Sequence, residues 1–146
     1  MQNNLQISCI QSNLIWEDTE QNLKQFEKHL AQLHKSVELV ILPEMFSTGF
    51  SMKTEKLAEK MDGKSFVWLK ELSAKINKII VGSLIIKEQK EHYNRLFVMF
   101  PDGHYEYYDK RHLFRMGNEH NHYSAGNKRL VFRYKNWRIC PLTCYD

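Results

Sequence analysis

Apolar residues recur at period two in Leu5-Gln6-Ile7-Ser8-Cys9-Ile10, which predicts a strand with Leu5, Ile7 and Cys9 on one face. The spacing then changes. Asp18 with Gln21 three residues on reads as a helix start, and Leu23, Phe26, Leu30 and Leu33 follow at helical spacing, predicting a helix from Thr19 to about Lys35. Val37 to Leu42 is an apolar run suited to a strand in a sheet covered on both sides, and Pro43 ends it because proline cannot donate to a ladder. A Gly49-containing loop and a charged segment lead to Asp62-Gly63, after which Phe66, Leu69, Leu72 and Ile76 predict a second amphipathic helix.

Ile79 to Ile86 reads as another buried strand. Tyr93 to Phe100 and His104 to Tyr108 flank Pro101-Asp102-Gly103, a turn signal that predicts a hairpin. Arg111 to Lys128 lacks periodicity and reads as a long loop with about one helical turn; such loops in compact domains commonly carry function. Leu130 to Tyr134 and Trp137 to Leu142 close the chain as two strands around Lys135-Asn136. The order predicts an α/β layered domain in which helices cover one face of a mixed sheet.

At 146 residues and 42% hydrophobic composition, the chain suits one ordinary globular domain. No stretch approaches the roughly 20 apolar residues of a membrane helix, and Met1-Gln2-Asn3-Asn4 lacks the basic-then-apolar layout of a signal peptide, so a cytoplasmic protein is expected. Three cysteines without framework or zinc spacing favour reduced thiols; Cys140 and Cys144 form CxxxC rather than CxxC. The formal charge of +4 is scattered. Lysines alternate with glutamates over Lys53 to Lys60 and Lys87 to Glu91, and only Lys110-Arg111 and Lys128-Arg129 are adjacent basic pairs, which argues against a nucleic-acid footprint.

Three segments carry candidate chemistry: Leu42-Pro43-Glu44-Met45-Phe46, Tyr108-Asp109-Lys110-Arg111-His112-Leu113-Phe114, and Cys140-Pro141-Leu142-Thr143-Cys144-Tyr145-Asp146. Amide hydrolysis needs a nucleophile, a means of holding an oxyanion, and a proton donor for the departing amine. A cysteine, a lysine and a glutamate supply all three. In this order the segments resemble the Glu-Lys-Cys triad of the nitrilase, or carbon-nitrogen hydrolase, superfamily. Pro43-Glu44-Met45-Phe46-Ser47-Thr48-Gly49-Phe50, Tyr93-Asn94-Arg95-Leu96 and Lys110 to Gly126 strengthen the likeness toward its omega-amidase branch.

The resemblance implies a nitrilase-type α-β-β-α sandwich, represented here by roughly its N-terminal half, with the triad at or just beyond strand ends. It implies Cys144 as nucleophile, Glu44 as general base, and Lys110 with the backbone N–H of Tyr145 as oxyanion donors. Lys110 is also expected to favour the Cys144 thiolate, because a nearby positive charge lowers a thiol pKa. Glu119, ahead of Tyr123-Ser124-Ala125-Gly126, takes the place of the superfamily's assisting second glutamate. The implied substrate is a small 2-oxo dicarboxylic acid monoamide of the 2-oxoglutaramate type, hydrolysed through a thioester without a cofactor. Arg111 or Arg115 would meet its carboxylate, since guanidinium pairs bidentately with that group.

His112, His120 and His122 share a loop with Glu119 and compose a competing zinc set, but no HxxxH or companion cysteine motif accompanies them, and no metal is expected. Family domains are about twice as long as this chain. Residues 1–146 are therefore expected to be a carbon-nitrogen hydrolase domain cut just after Cys144, a fragment of a homodimerising enzyme. An inactive half-domain acting as an assembly partner is the alternative. The sheet is expected to end on the Trp137 to Leu142 strand, with an unpaired edge and an uncovered apolar face that favour association.

Overall fold

A computed structural model describes residues 4–146; Met1 to Asn3, part of the segment read above for a signal peptide, lie outside the described residues. Five strands form one mixed sheet in the order β1-β2-β3-β4-β5: β1 (Ile7–Cys9), β2 (Leu39–Ile41), β3 (Ile79–Glu88), β4 (Glu91–Met99) and β5 (Tyr105–Asp109). The first three are parallel and linked by helices; the last two run antiparallel as consecutive hairpins. Each parallel step needs a crossover, which α1 (Thr19–Ala31) and α3 (Lys64–Ile76) provide.

The stripe predicted for the first helix faces the core, with Leu23, Phe26 and Leu30 buried and Asp18 capping through the N–H of Gln21. The helix stops at Ala31 rather than near Lys35. From there a turn closed by Val37 N–H on the His34 carbonyl brings the chain down to β2, so Leu33 packs from a loop. α3 ends where Asn77 takes the left-handed conformation, its N–H returning to the carbonyls of Ser73 and Ala74. Together the helices cover one sheet face, burying Val40, Leu42, Phe46, Ile80, Leu84, Phe97 and Met99. Gly82 admits this packing: a Cβ there would lie 2.9 Å from the Phe46 ring.

Three other expectations change. The Lys87 to Glu91 segment is a tight β3–β4 turn, with Glu88 opposite Glu91 and Gln89 at φ 56°, a conformation that no Gly, Asn or Pro announced. The charged segment before Asp62 holds a short helix, α2 (Thr54–Leu57), and a bridge from Glu59 to Ile86. The apolar residues of β1 do not point into a closed core. Ile7 is half exposed, and with Leu5 it lines an open groove.

The last two strands, β6 (Phe132–Tyr134) and β7 (Trp137–Ile139), do not extend the main sheet. They pair with each other as a separate ribbon and pack across its second face, where Phe132 is buried with Leu39, Ile79, Val81, Leu96, Val98 and Tyr108. The physical reason is the apolar character of that face, which β6–β7 partly covers instead of adding an edge. Uncovered apolar surface remains in a groove of about 470 Å³ between the two sheets, lined by Ile7, Leu39, Ile41, Trp137, Ile139 and Leu142 among others. Among the described residues no helix is long and apolar enough to cross a membrane.

Phe132 is the main attachment of the ribbon that leads to Cys144. Replacing Phe132 by Ala is expected to cost about 3–5 kcal/mol of unfolding free energy, measured by chemical denaturation, through lost burial and the cavity left behind.

Candidate active site

Glu44 lies three residues beyond β2, on a turn that β3 holds in place. Leu42 N–H donates to the Val81 carbonyl at 2.7 Å, Met45 N–H to Ser83 Oγ at 2.8 Å and Phe46 N–H to the Ser83 carbonyl at 3.2 Å. Met45 takes φ 47° to make this turn, and the Glu44 side chain is left 20% exposed. Lys110 directly follows β5, where its N–H continues the ladder to the Asn94 carbonyl at 3.0 Å. Arg95 faces Asp109 across the same pair of strands. Because strand side chains alternate, Asn94 and Lys110 project to one face and Arg95 and Asp109 to the other.

On that opposite face the Arg95 guanidinium bonds Asp109 through Nε at 2.6 Å and Nη2 at 2.9 Å, and Glu88 at 2.7 Å, while stacking over Tyr107. This buried fork locks the register of β4 on β5, and thereby the position of Lys110. The returning loop presses on the same point. Gly126 N–H donates to the Lys110 carbonyl at 2.9 Å, and a Cβ at Gly126 would sit 2.1 Å from the Asp109 carbonyl oxygen. Only glycine allows that approach.

The Lys110 ammonium is fully buried between two carboxylates, 2.9 Å from Glu44 Oε1 and 2.9 Å from Glu119 Oε2. Glu119 opens the second of two short 3-10 turns, Arg115–Gly117 and Glu119–Asn121, in the loop expected to carry one helical turn. Its carboxylate is completely buried and also takes the Phe114 N–H at 2.6 Å. Burial alone would lower the lysine pKa, but the hydrogen bonds to Glu44 and Glu119 outweigh it and raise the pKa above its ordinary value. The Phe50 ring lies 5.2 Å from Nζ. The fully buried Lys110 and Glu119 and the part-buried Glu44 make a cluster in which each group is compensated by its neighbours.

Cys144 sits on the turn after β7 with φ 49°, exposed, and lines the groove alongside Glu44. Its thiol feels the opposing charges of Glu44 and Lys110. The net effect reverses the expectation that Lys110 favours the thiolate. Although the residue as a whole is exposed, partial desolvation of the thiol, followed by the negative charge of Glu44, pushes its pKa up, and the pull of Lys110 does not overcome them. The resting group is a protonated thiol in the same groove as a carboxylate.

Asp146, quoted above only as part of a motif, fastens this turn to the lysine segment. Its side chain is 1% exposed and accepts from Arg111 N–H at 3.2 Å, His112 N–H at 3.0 Å, His112 Nδ1 at 3.0 Å and Thr143 N–H at 3.2 Å. Burial would raise the Asp146 pKa, but these bonds and the influence of the Tyr108 hydroxyl hold it below the usual carboxylate range. Burial and the Asp146 carboxylate push the Tyr108 phenol up to about 12. Tyr145, next to Cys144 in sequence, packs its ring against Phe114, with centroids 5.4 Å apart.

The structure thus brings together Glu44, Lys110, Glu119 and Cys144, with Tyr145 adjacent. Neither of the two arginines lines the groove that holds Glu44 and Cys144. Arg111 is half-buried at the start of the loop and Arg115 is exposed on a 3-10 turn; among the described residues, the arginine ion pairs are those of Arg95. The histidine set disperses: His112 engages Asp146, Glu119 is committed to Lys110, and among the described residues no group of three or more His, Cys, Asp or Glu could hold a metal ion. Asn94, buried between Glu44 and Glu119, was not singled out by the sequence reading. A polar residue on the strand face it shares with the apolar Leu96 and Val98 was the available signal.

Cys9 and Cys140 are also exposed and serve as internal references for thiol reactivity. Alkylation of Cys144, followed by peptide mass spectrometry against pH, is expected to reach half its maximal rate above the ordinary thiol pKa of about 8.5. Glu44→Gln is expected to move that midpoint down, because it removes a negative charge that disfavours the thiolate.

Residues 6–146 match the family model described as Carbon-nitrogen hydrolase. The chain is 38% identical over 143 residues to the omega-amidase YafV of Escherichia coli K12, covering 97% of this chain and 55% of that protein. It is 30% identical over 144 residues to a 2-oxoglutaramate amidase of Bacillus subtilis, covering 96% and 55%. The crystal structure of XC1258 from Xanthomonas campestris, a CN-hydrolase superfamily protein with an arsenic adduct in its active site, superimposes with a TM-score of 0.93 at 43% identity, covering 97% of this chain and 53% of that one. The chain spans about half the length of the curated relatives it matches. With its mixed sheet, helical layer and clustered Glu44, Lys110 and Cys144, the chain belongs to the carbon-nitrogen hydrolase family of the nitrilase superfamily.

Proposed function

We propose that the protein carrying this chain is a cysteine amidase that hydrolyses the terminal amide of small 2-oxo dicarboxylic acid monoamides to acid and ammonia. The observation that carries this reading is the buried Lys110 ammonium held by Glu44 and Glu119, with Cys144 and Glu44 lining one groove. The names of the relatives, omega-amidase and 2-oxoglutaramate amidase, support the substrate class.

In the proposed reaction, Glu44 takes the thiol proton as Cys144 Sγ bonds to the amide carbon, so no free thiolate has to accumulate. The carbonyl oxygen becomes an oxyanion held by the Lys110 ammonium and the Tyr145 N–H. Glu44 returns the proton to the amide nitrogen, the C–N bond breaks, and ammonia leaves a thioester on Cys144. Water then attacks the thioester carbon, giving its proton to Glu44; the C–S bond breaks and the thiol recovers that proton. Glu119 acts through Lys110, keeping the ammonium charged and fixed. The setting proposed for this chemistry is the cytoplasm, where thiols persist reduced.

Turnover is tested by ammonia release from 2-oxoglutaramate. Cys144→Ala is expected to lower kcat/KM at least about a thousandfold without loss of fold; parental turnover in that variant would refute the mechanism. A folded parent without turnover would favour instead an inactive half-domain that acts by association, a reading supported by the open apolar groove beside Cys144.

The acidic end of such a substrate needs a cation, and Arg111 and Arg115 are the proposed ones. Substituting Met for whichever arginine meets the substrate is expected to raise KM for 2-oxoglutaramate about tenfold or more, leaving kcat and the KM of a neutral short amide unchanged.

A further inference from the structure

Two carboxylates, one fully and one partly buried, face a single ammonium at this site, a formal excess of one negative charge in a medium that penalises it. Like charges so close favour uptake of a proton unless further donors hold both ionised. The groups around them are few. Phe114 N–H reaches only Glu119, and the Tyr123 hydroxyl is turned to the Ser51 carbonyl and Met45 Sδ.

Asn94 is different. From the middle of β4, fully buried, its Nδ2 lies 2.7 Å from Glu44 Oε1 and 3.2 Å from Glu119 Oε1. Lys110 Nζ touches the same two oxygens, at 2.9 and 3.2 Å. Both carboxylates are thus bridged twice. Asn94 Oδ1, meanwhile, is buried with no hydrogen-bond partner among the described residues. The orphan oxygen reveals what sets the amide's orientation. Rotating the group to present Oδ1 would set an acceptor against two carboxylates, so the NH2 must face them and Oδ1 goes without.

We infer that Asn94 is a positioning residue, whose amide NH2 bridges the Glu44 and Glu119 carboxylates and pins Glu44 by Oε1, leaving Oε2 to take the proton of the Cys144 thiol. The inference rests on the proposed function in treating Glu44 as the base. It also accounts for a polar side chain at that point of β4, where Leu96 and Val98 on the same face are apolar.

Asn94→Leu keeps the size of the side chain and removes both the donor and the orphan acceptor. In the full chain, the acid limb of kcat/KM for 2-oxoglutaramate is expected to move to higher pH and the rate at neutral pH to fall about tenfold or more, with KM changing less. Carbon-13 NMR of chain labelled at the glutamate carboxyls, with Glu44→Gln and Glu119→Gln for assignment, should show one of the two titrating at higher pH than in the parent. Asn94→Ser, which keeps a shorter donor, should shift less. Unmoved carboxyl titrations in a folded Asn94→Leu or Asn94→Ser protein overturn the inference; the serine variant decides the matter if the leucine variant does not fold. Absence of turnover in the parent strikes the proposed function alone, because the NMR titration reads Asn94 without any reaction.

Discussion

The rest of the structure turns on one constraint: a lysine ammonium removed entirely from water must be compensated on every side. Burying an ion costs several kcal/mol even after relaxation, and attraction repays this only where geometry is close and remaining polar groups are bonded. At Lys110 the compensation comes from parts of the chain far apart in sequence. Glu44 arrives after β2, Asn94 within β4, Glu119 from the loop beyond β5, and each bond to the cluster falls between 2.6 and 3.2 Å. The cluster therefore requires the sheet order β2-β3-β4-β5, which sets Glu44 beside Lys110 although 66 residues separate them.

Strand alternation divides the work between the faces. On one side of the β4–β5 pair, Arg95 grips Asp109 and Glu88 beneath Tyr107, where the fork is buried and fixes register. On the other side the next residues, Asn94 and Lys110, are presented together. A one-residue slip would exchange these faces, placing Arg95 among the carboxylates and Lys110 against the helical layer. The position of the ammonium is thus protected by an ion pair it never touches.

The clearest parts of the sequence were those with strong periodicity or unmistakable punctuation. The stripes of α1 and α3, the run of β3 and the Pro101-Asp102-Gly103 turn each announced an element that the structure contains. The Gln89-Lys90 turn was hidden because neither residue favours positive φ, and tertiary pairing of the two long strands imposed it. The fate of β6–β7 was hidden for another reason. Strand pattern fixes which residues face a core but not which sheet they join, and here the apolar second face captured the ribbon. At the site, Glu44, Lys110, Glu119 and Cys144 were legible as motif residues, while Asn94 and Asp146 lay within the quoted motifs without a role, since their importance is a matter of who bonds them.

The charge of the cluster also decides how the thiol sits at rest. Taken alone, Lys110 would draw a proton off Cys144, and the sequence reading followed that pull. But Lys110 is already shared between two carboxylates, and the cluster as a whole presents a negative rather than a positive field to the sulfur. A thiol beside a net negative, partly desolvated group stays protonated. In the proposed chemistry that is an advantage, since the proton stays with the pair until a carbonyl is in place. As an oxyanion forms, Lys110 gains a third negative neighbour at the moment Glu44 gives up its own charge by taking the proton. The number of negative charges around the ammonium is unchanged through the step, so the buried cation need not move and the compensation that allows its burial is never lost.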